Sequence, residues 1–250
     1  MELFMKGQKA IVTGASQGIG RAITKALALE GVEVLAVARN QELLDHLKAD
    51  IKTAGGEPPI TLVSELTDAG SAALIATTAL TEMGQVDILV NNAGRSQPLD
   101  AVGPDEKWQE SFTLEFERPR QLTQALLPHF MERKQGVVLN VISTFELKSI
   151  NASAVAKTAL TAWSKQLSAQ VGPFNVRVNC LQPGLIDTEN TRRIFTPQQR
   201  KEFAGANIAL GDFGEVEDMA NTAVFLVSPR ARYVTGAVWN VDGGLRHYPF

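Results

Sequence analysis

The run Thr13-Gly14-Ala15-Ser16-Gln17-Gly18-Ile19-Gly20 has the residue types and spacing to hold a phosphate group. It follows an apolar run, Lys9-Ala10-Ile11-Val12, and opens a stretch of helical spacing from Arg21 to Glu30. In strand–turn–helix order such a run exposes the unpaired amides of a helix N-terminus, where the dipole favours an anion. Gly14 permits the tight turn, Gly18 lets a diphosphate approach the backbone, and Gly20 allows helix and strand to pack closely. Ser16, Gln17 and Ile19 complete the expected contacts of the turn with its ligand. The alternative is a turn that only happens to be glycine-rich, and the flanking strand and helix are the context that argues for a dinucleotide.

Further candidates lie just after predicted strands. Arg39 ends the second strand, in Ala38-Arg39-Asn40, where an acid would bind a ribose 2′-hydroxyl. A guanidinium there suits a 2′-phosphate, which favours NADP(H) over NAD(H); otherwise Arg39 is a solvated residue at a helix start. Glu65-Leu66-Thr67-Asp68 ends the third strand. The Glu65 carboxylate is placed to accept from an adenine amino group beside Leu66, and Asp68 to cap the next helix. In Asn91-Asn92-Ala93-Gly94, the small residues Ala93 and Gly94 and the strand-terminal Asn91 would let a cofactor ribose lie close to the backbone.

These residues need a parallel sheet to align them. Strands are predicted at 9–12, 32–38, 60–63, 86–91, 137–142, 176–181 and 237–241. Helices are predicted near 40–53, 69–83, 105–116, 119–134, 152–171 and 215–227. The alternation argues for a doubly wound parallel sheet covered on both faces, a three-layer α/β/α architecture. No linker or repeat divides the 250 residues, so one domain spanning 1–250 is expected. The net charge of −3 offers no basic field for nucleic acid or an anionic membrane. The single cysteine, Cys180, reads as a buried inert thiol, which with the absence of a signal-peptide pattern fits a cytoplasmic protein. His46, His129 and His247 have no partners at ligand spacing, so no catalytic metal is expected.

Together the motifs resemble the short-chain dehydrogenase/reductase family nearly end to end. They are Thr13-Gly14-x-x-x-Gly18-Ile19-Gly20, Asn91-Asn92-Ala93-Gly94, Asn140-Val141-Ile142-Ser143, Gln182-Pro183-Gly184-Leu185-Ile186-Asp187-Thr188 and Tyr233-Val234-Thr235-Gly236 through Gly244. The resemblance implies a Rossmann-like domain, a nicotinamide cofactor, hydride transfer at a carbonyl or alcohol, a small-molecule substrate, and a homotetramer or homodimer. It further implies that Pro183 and Gly184 turn the chain against the cofactor, that Ile186 and Thr188 meet the nicotinamide carboxamide and diphosphate, and that 189–213 form a substrate lid. Within that lid, Arg192 and Arg193 would attract an anionic substrate or simply be solvated.

The active site departs from the family pattern. The family uses a tyrosine four residues before a lysine as proton donor, a serine on the substrate oxygen, and an asparagine that holds a relay water. Here the lysine is Lys157, which also binds the nicotinamide ribose, but Ser153 stands where the tyrosine belongs. Ser143 matches the serine, across a shortened intervening loop. Glu115 falls at the asparagine position, where it would pair with Lys157 and keep the amine protonated. Pro119 should kink or split the helix there. Glu146 is a candidate replacement acid, or a solvated loop carboxylate, and Tyr248 a distant candidate phenol. An aliphatic hydroxyl is a far weaker acid than a phenol. Three readings follow: an NADP(H)-dependent reductase of carbonyls or imines with altered proton delivery, a nucleotide-binding protein without turnover, or a non-redox lyase or cyclase in the same pocket.

Overall fold

Aliphatic runs alternate with helical stretches, and each run becomes a strand in the computed structural model, which describes residues 2–143 and 149–246. The strands are β1 (Lys9–Thr13), β2 (Glu33–Ala38), β3 (Ile60–Val63), β4 (Ile88–Asn91), β5 (Gly136–Val141), β6 (Val176–Pro183) and β7 (Val238–Val241). They form one parallel sheet in the order β3-β2-β1-β4-β5-β6-β7. The helices are α1 (Gly18–Leu29), α2 (Gln41–Thr53), α3 (Ser71–Met83), α4 (Asp105–Phe112), α5 (Arg118–Arg133), α6 (Ala152–Val171), α7 (Glu189–Ile194), α8 (Pro197–Asn207) and α9 (Val216–Val227).

Successive strand residues point to opposite faces, and this alternation builds two cores. Ala10 and Val12 of β1, Ile88 and Val90 of β4, and Leu139 and Val141 of β5 pack on the side of α1, α2 and α9. The intervening Ile11, Leu89 and Val138 pack on the side of α3, α5 and α6. Both faces are covered, which is why the strands read as continuous apolar runs. The result is a Rossmann-like α/β domain. The chain winds from β1 out to β3, then returns to β4 and winds the other way. The carboxyl ends of β1 and β4 therefore border a crevice, the place where open α/β sheets take their ligands.

One region differs from the sequence expectation. Segment 189–207, expected only as a lid, contains the short helices α7 and α8. Each starts with a threonine capping box, at Thr188 and Thr196. Pro119 falls between helical segments: it sits at the start of α5, and α4 gives way to α5 just before it through a π-helical turn, Thr113–Glu117. The wider turn opens the helix at the Glu115 carbonyl, which the Pro119 ring would otherwise strike. Among the described residues, no helix is long and apolar enough to cross a membrane.

Arg177 of β6 anchors the far edge. It is buried and donates to the carbonyls of Leu226, Val227, Ser228 and Val234 at 2.7–3.3 Å. Burial pulls its guanidinium down to about 10, yet it remains charged at neutral pH. Arg177→Met leaves four buried acceptors without this donor. It is expected to lower unfolding free energy by roughly 2–4 kcal/mol in chemical denaturation.

Candidate active site

A cleft of about 350 Å³ runs along the carboxyl ends of the strands. Its middle is the turn after β1, where Gly14 and Gly18 take φ of +66° and +53°. At α1 no side chain caps the N-terminus and no acid occupies the first turn. Its first amides are thus left for a ligand, and this fits a diphosphate. One group opposes it: Glu189 of α7 places its carboxylate 3.8 Å from where a Cβ on Gly18 would stand.

The turn is held by a residue the motif reading passed over. Asn92 donates from Nδ2 to the carbonyls of Thr13 and Gly14, at 3.0 and 3.2 Å. Thr13 Oγ1 accepts from the amides of Asn92 and Ala93 at 3.1 and 3.2 Å. A Cβ on Gly20 would overlap the Asn92 amide nitrogen and the Gly14 carbonyl oxygen. The close approach Gly20 permits is therefore that of the first turn of α1 to the Gly14 carbonyl and the Asn92 side chain.

At one end of the cleft, Arg39 and Glu65 form an ion pair at 3.1 Å. Burial works against the Glu65 carboxylate, but the Thr67 amide and Arg39 outweigh it and hold the group below its ordinary range. Leu66 and Thr67 line the same end. Their carbonyls are fixed by Arg118 of α5 at 2.8 and 2.9 Å. At the other end the cleft is lined by Ala93, Gly94, Ser143, Ser153, Lys157 and Pro183. Ser16, Gln17, Gly18, Ile19 and Thr188 line the middle. Asn151 caps α6 by accepting from the Ala154 amide at 3.3 Å, and its Nδ2 donates to Ser96 at 2.9 Å. This fixes the first turn of α6, which carries Ser153, against the segment after β4.

Five expected site residues do not line the cleft. Asn91 continues the side of Leu89, so it points into the helix layer. There it donates to Thr123 at 3.2 Å and Asn140 at 2.8 Å, and Asn140 donates to Ser164 at 2.8 Å. Gly20 is buried under the turn. Gly184 lets the end of β6 pass the Asp242 backbone, whose Cα is 2.6 Å from a Cβ position on this glycine. Ile186 is core, bridging to Gly214. Glu115 lies behind Gly94 in the π-helical turn, buried, with Oε1 accepting from the Arg95 amide at 2.7 Å.

Glu115 and Lys157 do come together. A Cβ on Gly94 would sit 2.7 Å from Glu115 Oε1 and 2.9 Å from Lys157 Nζ, so only glycine leaves room for both. The electrostatic balance differs from the expected one. Burial raises the Glu115 carboxyl, against Lys157, Ser153 and the Arg95 amide. Burial also lowers the Lys157 amine, and Glu115 offsets this only in part. Desolvation outweighs pairing because the two groups do not close to contact distance. Elsewhere, Arg192 is held on Asp187 at 2.8 Å, and Arg200 reaches the same carboxylate at 2.9 Å. Arg192 is therefore paired within the protein, on a side chain that remains 61% exposed. Burial pushes the Cys180 thiol up to about 11, which agrees with an inert thiol. Glu146 and Tyr248 lie outside the described residues.

The family model described as enoyl-(acyl carrier protein) reductase matches residues 14–246. The chain belongs to the short-chain dehydrogenase/reductase family of oxidoreductases. It is 32% identical to the 3-oxoacyl-[acyl-carrier-protein] reductase of Thermotoga maritima, across 96% of this chain and 98% of that one. It is 31% identical to the 7alpha-hydroxysteroid dehydrogenase of Escherichia coli, across 97% and 95% of the two chains. Among solved structures, L-sorbose reductase from Gluconobacter frateurii, complexed with NADPH and L-sorbose, superposes with a TM-score of 0.93 at 30% identity, covering 99% of this chain and 100% of that chain.

The raised Glu115 pKa makes a signed prediction. Between its ordinary value of 4.5 and its folded value, the folded state binds more protons than the unfolded one, so stability falls as pH rises through that window. Glu115→Gln removes this loss. Its melting temperature is expected to exceed wild type at neutral pH, with the gap closing below pH 4.5 in scanning calorimetry across pH.

Proposed function

We propose that the protein is an NADP(H)-dependent oxidoreductase that reduces a small ketone or imine, with Ser153 and Lys157 standing where the family has tyrosine and lysine. The observation that carries this reading is one continuous cleft, from Arg39 through the uncapped N-terminus of α1 to Ser143, Ser153 and Lys157. Bound along it, a reduced nicotinamide nucleotide would supply a hydride to the carbon of a polarised C=O or C=N bond. The turn amides and Thr188 would hold the diphosphate, Glu65 and Leu66 the adenine, and Lys157 the nicotinamide ribose. Ser143 would donate to the substrate oxygen or nitrogen. Residues 189–213, with α7 and α8, would close over the substrate as a lid.

Arg39 supports the preference for NADP(H). Its side chain is 66% exposed, and an exposed pair such as Arg39–Glu65 contributes only about 0–1 kcal/mol. The guanidinium can therefore turn to a 2′-phosphate at little cost. The NADPH complex of L-sorbose reductase agrees with this choice. An imine suits the altered relay, because an iminium already carries the charge that hydride neutralises. A lost phenol costs less there than at a ketone, where removing a general acid slows turnover about 10²–10⁴-fold.

The test is nucleotide titration followed by NADPH oxidation against a panel of ketones and imines. Roughly micromolar NADPH binding is expected, about tenfold tighter than NADH, with the preference lost in Arg39→Ala. Turnover should favour imines and activated ketones. Binding without turnover would instead support a nucleotide-binding protein, and product without a change in NADPH absorbance a non-redox enzyme. Separately, Glu189→Gln removes a like charge from the diphosphate turn. It is expected to tighten NADPH several-fold in the same titration, an effect of about 1 kcal/mol for a charge in water at such range.

A further inference from the structure

Behind the wall of the cleft, the π-helical turn holds a carboxyl group that no nucleotide contact requires. Glu115 is 1% exposed, and among the described residues its Oε2 is buried without a hydrogen-bond partner. A carboxylate so placed bears a desolvation cost that a proton relieves. The group able to exchange that proton is Lys157. Carboxyl and amine converge over Gly94, separated by no more than the sum of the 2.7 and 2.9 Å that divide them from its Cβ position. The charged groups facing Glu115 are Lys157 from α6 and Arg95 from the segment after β4. Glu110 of α4 is turned onto Arg95 and Lys107. Ser153 lines the cleft one helical turn before Lys157.

We propose that Glu115 stores the proton that the missing phenol would have delivered and passes it through Lys157 to the reduced substrate. The proposal rests on the reductase reading. An N–H bond of the Lys157 ammonium breaks as an O–H bond, or for an imine an N–H bond, forms on the product. The O–H bond of the Glu115 carboxyl then breaks as an N–H bond re-forms on Lys157, once the freed amine has swung across the remaining gap to the carboxyl. The hydride on carbon comes from the reduced nicotinamide nucleotide. The Glu115–Lys157 pair is left one proton short and regains it from water in the cleft. Burial raises the proton affinity of Glu115 and lowers that of Lys157, which brings the two toward the match that proton transfer favours. Glu115 touches no substrate; it acts through Lys157.

The test is infrared titration of the full chain without nucleotide, beside NADPH binding and turnover. Wild type is expected to show a protonated-carboxyl band that persists above pH 4.5 and is absent in Glu115→Gln. In Lys157→Met the band should persist to still higher pH, since the nearby cation is gone. With a ketone as substrate, Glu115→Gln should retain NADPH binding but lose about 10²–10⁴ in turnover, together with the high-pH limb of the rate profile. Glu115→Asp should recover part of both. The proposal is overturned if Glu115→Gln removes no band, if Lys157→Met leaves the titration in place, or if Glu115→Gln turns over with an unchanged pH profile. Failure of wild type to bind NADPH would sink the reductase reading alone, because the infrared titration still decides whether Glu115 holds the proton.

Discussion

The Asn92 side chain, wedged between the ends of β1 and β4, is the contact on which the site depends. It donates to the carbonyls of Thr13 and Gly14, and it does so only because Gly14 and Gly20 have no Cβ to keep it out. Thr13 returns the favour by accepting the amides on the other side. The crevice at the switch of strand order is thereby held at one width. α1 begins there with its amides uncovered, and that exposed end sets where an anion can sit.

The same closeness governs the other end of the cleft. Gly94 brings the π-helical turn against α6, so Glu115 and Lys157 share a space that any side chain at 94 would fill. Two ionisable groups confined there feel burial more than each other. In water an acid and an amine at this separation would simply be ions. Here desolvation draws their proton affinities together, and the shape of the backbone is what makes the chemistry of the pair unusual.

Arg118 links the two ends. It stands at the start of α5, directly after the turn that carries Glu115, and it fixes the carbonyls of Leu66 and Thr67 beside Glu65. Family membership and fold follow from the motifs and from 31–32% identity across nearly the whole chain. The departures at 115, 119 and 153 all fall within or next to the contacts of α6 with the π-helical turn.

Local pattern determined much of this protein. Apolar runs gave the seven strands among the described residues, glycine spacing gave the turn, and Ser153 and Lys157 four apart fell on one face of a helix, because these features need only neighbours along the chain. Asn91 shows the limit. Its motif suggested the cleft, but strand alternation turns it toward Thr123 and Asn140, far away in sequence. The role of Asn92, the pairing of Arg192 with Asp187, and the balance of charge between Glu115 and Lys157 were decided only by tertiary packing. Each depends on a distance or a degree of burial between segments remote in the chain, and no spacing of residue types encodes either quantity.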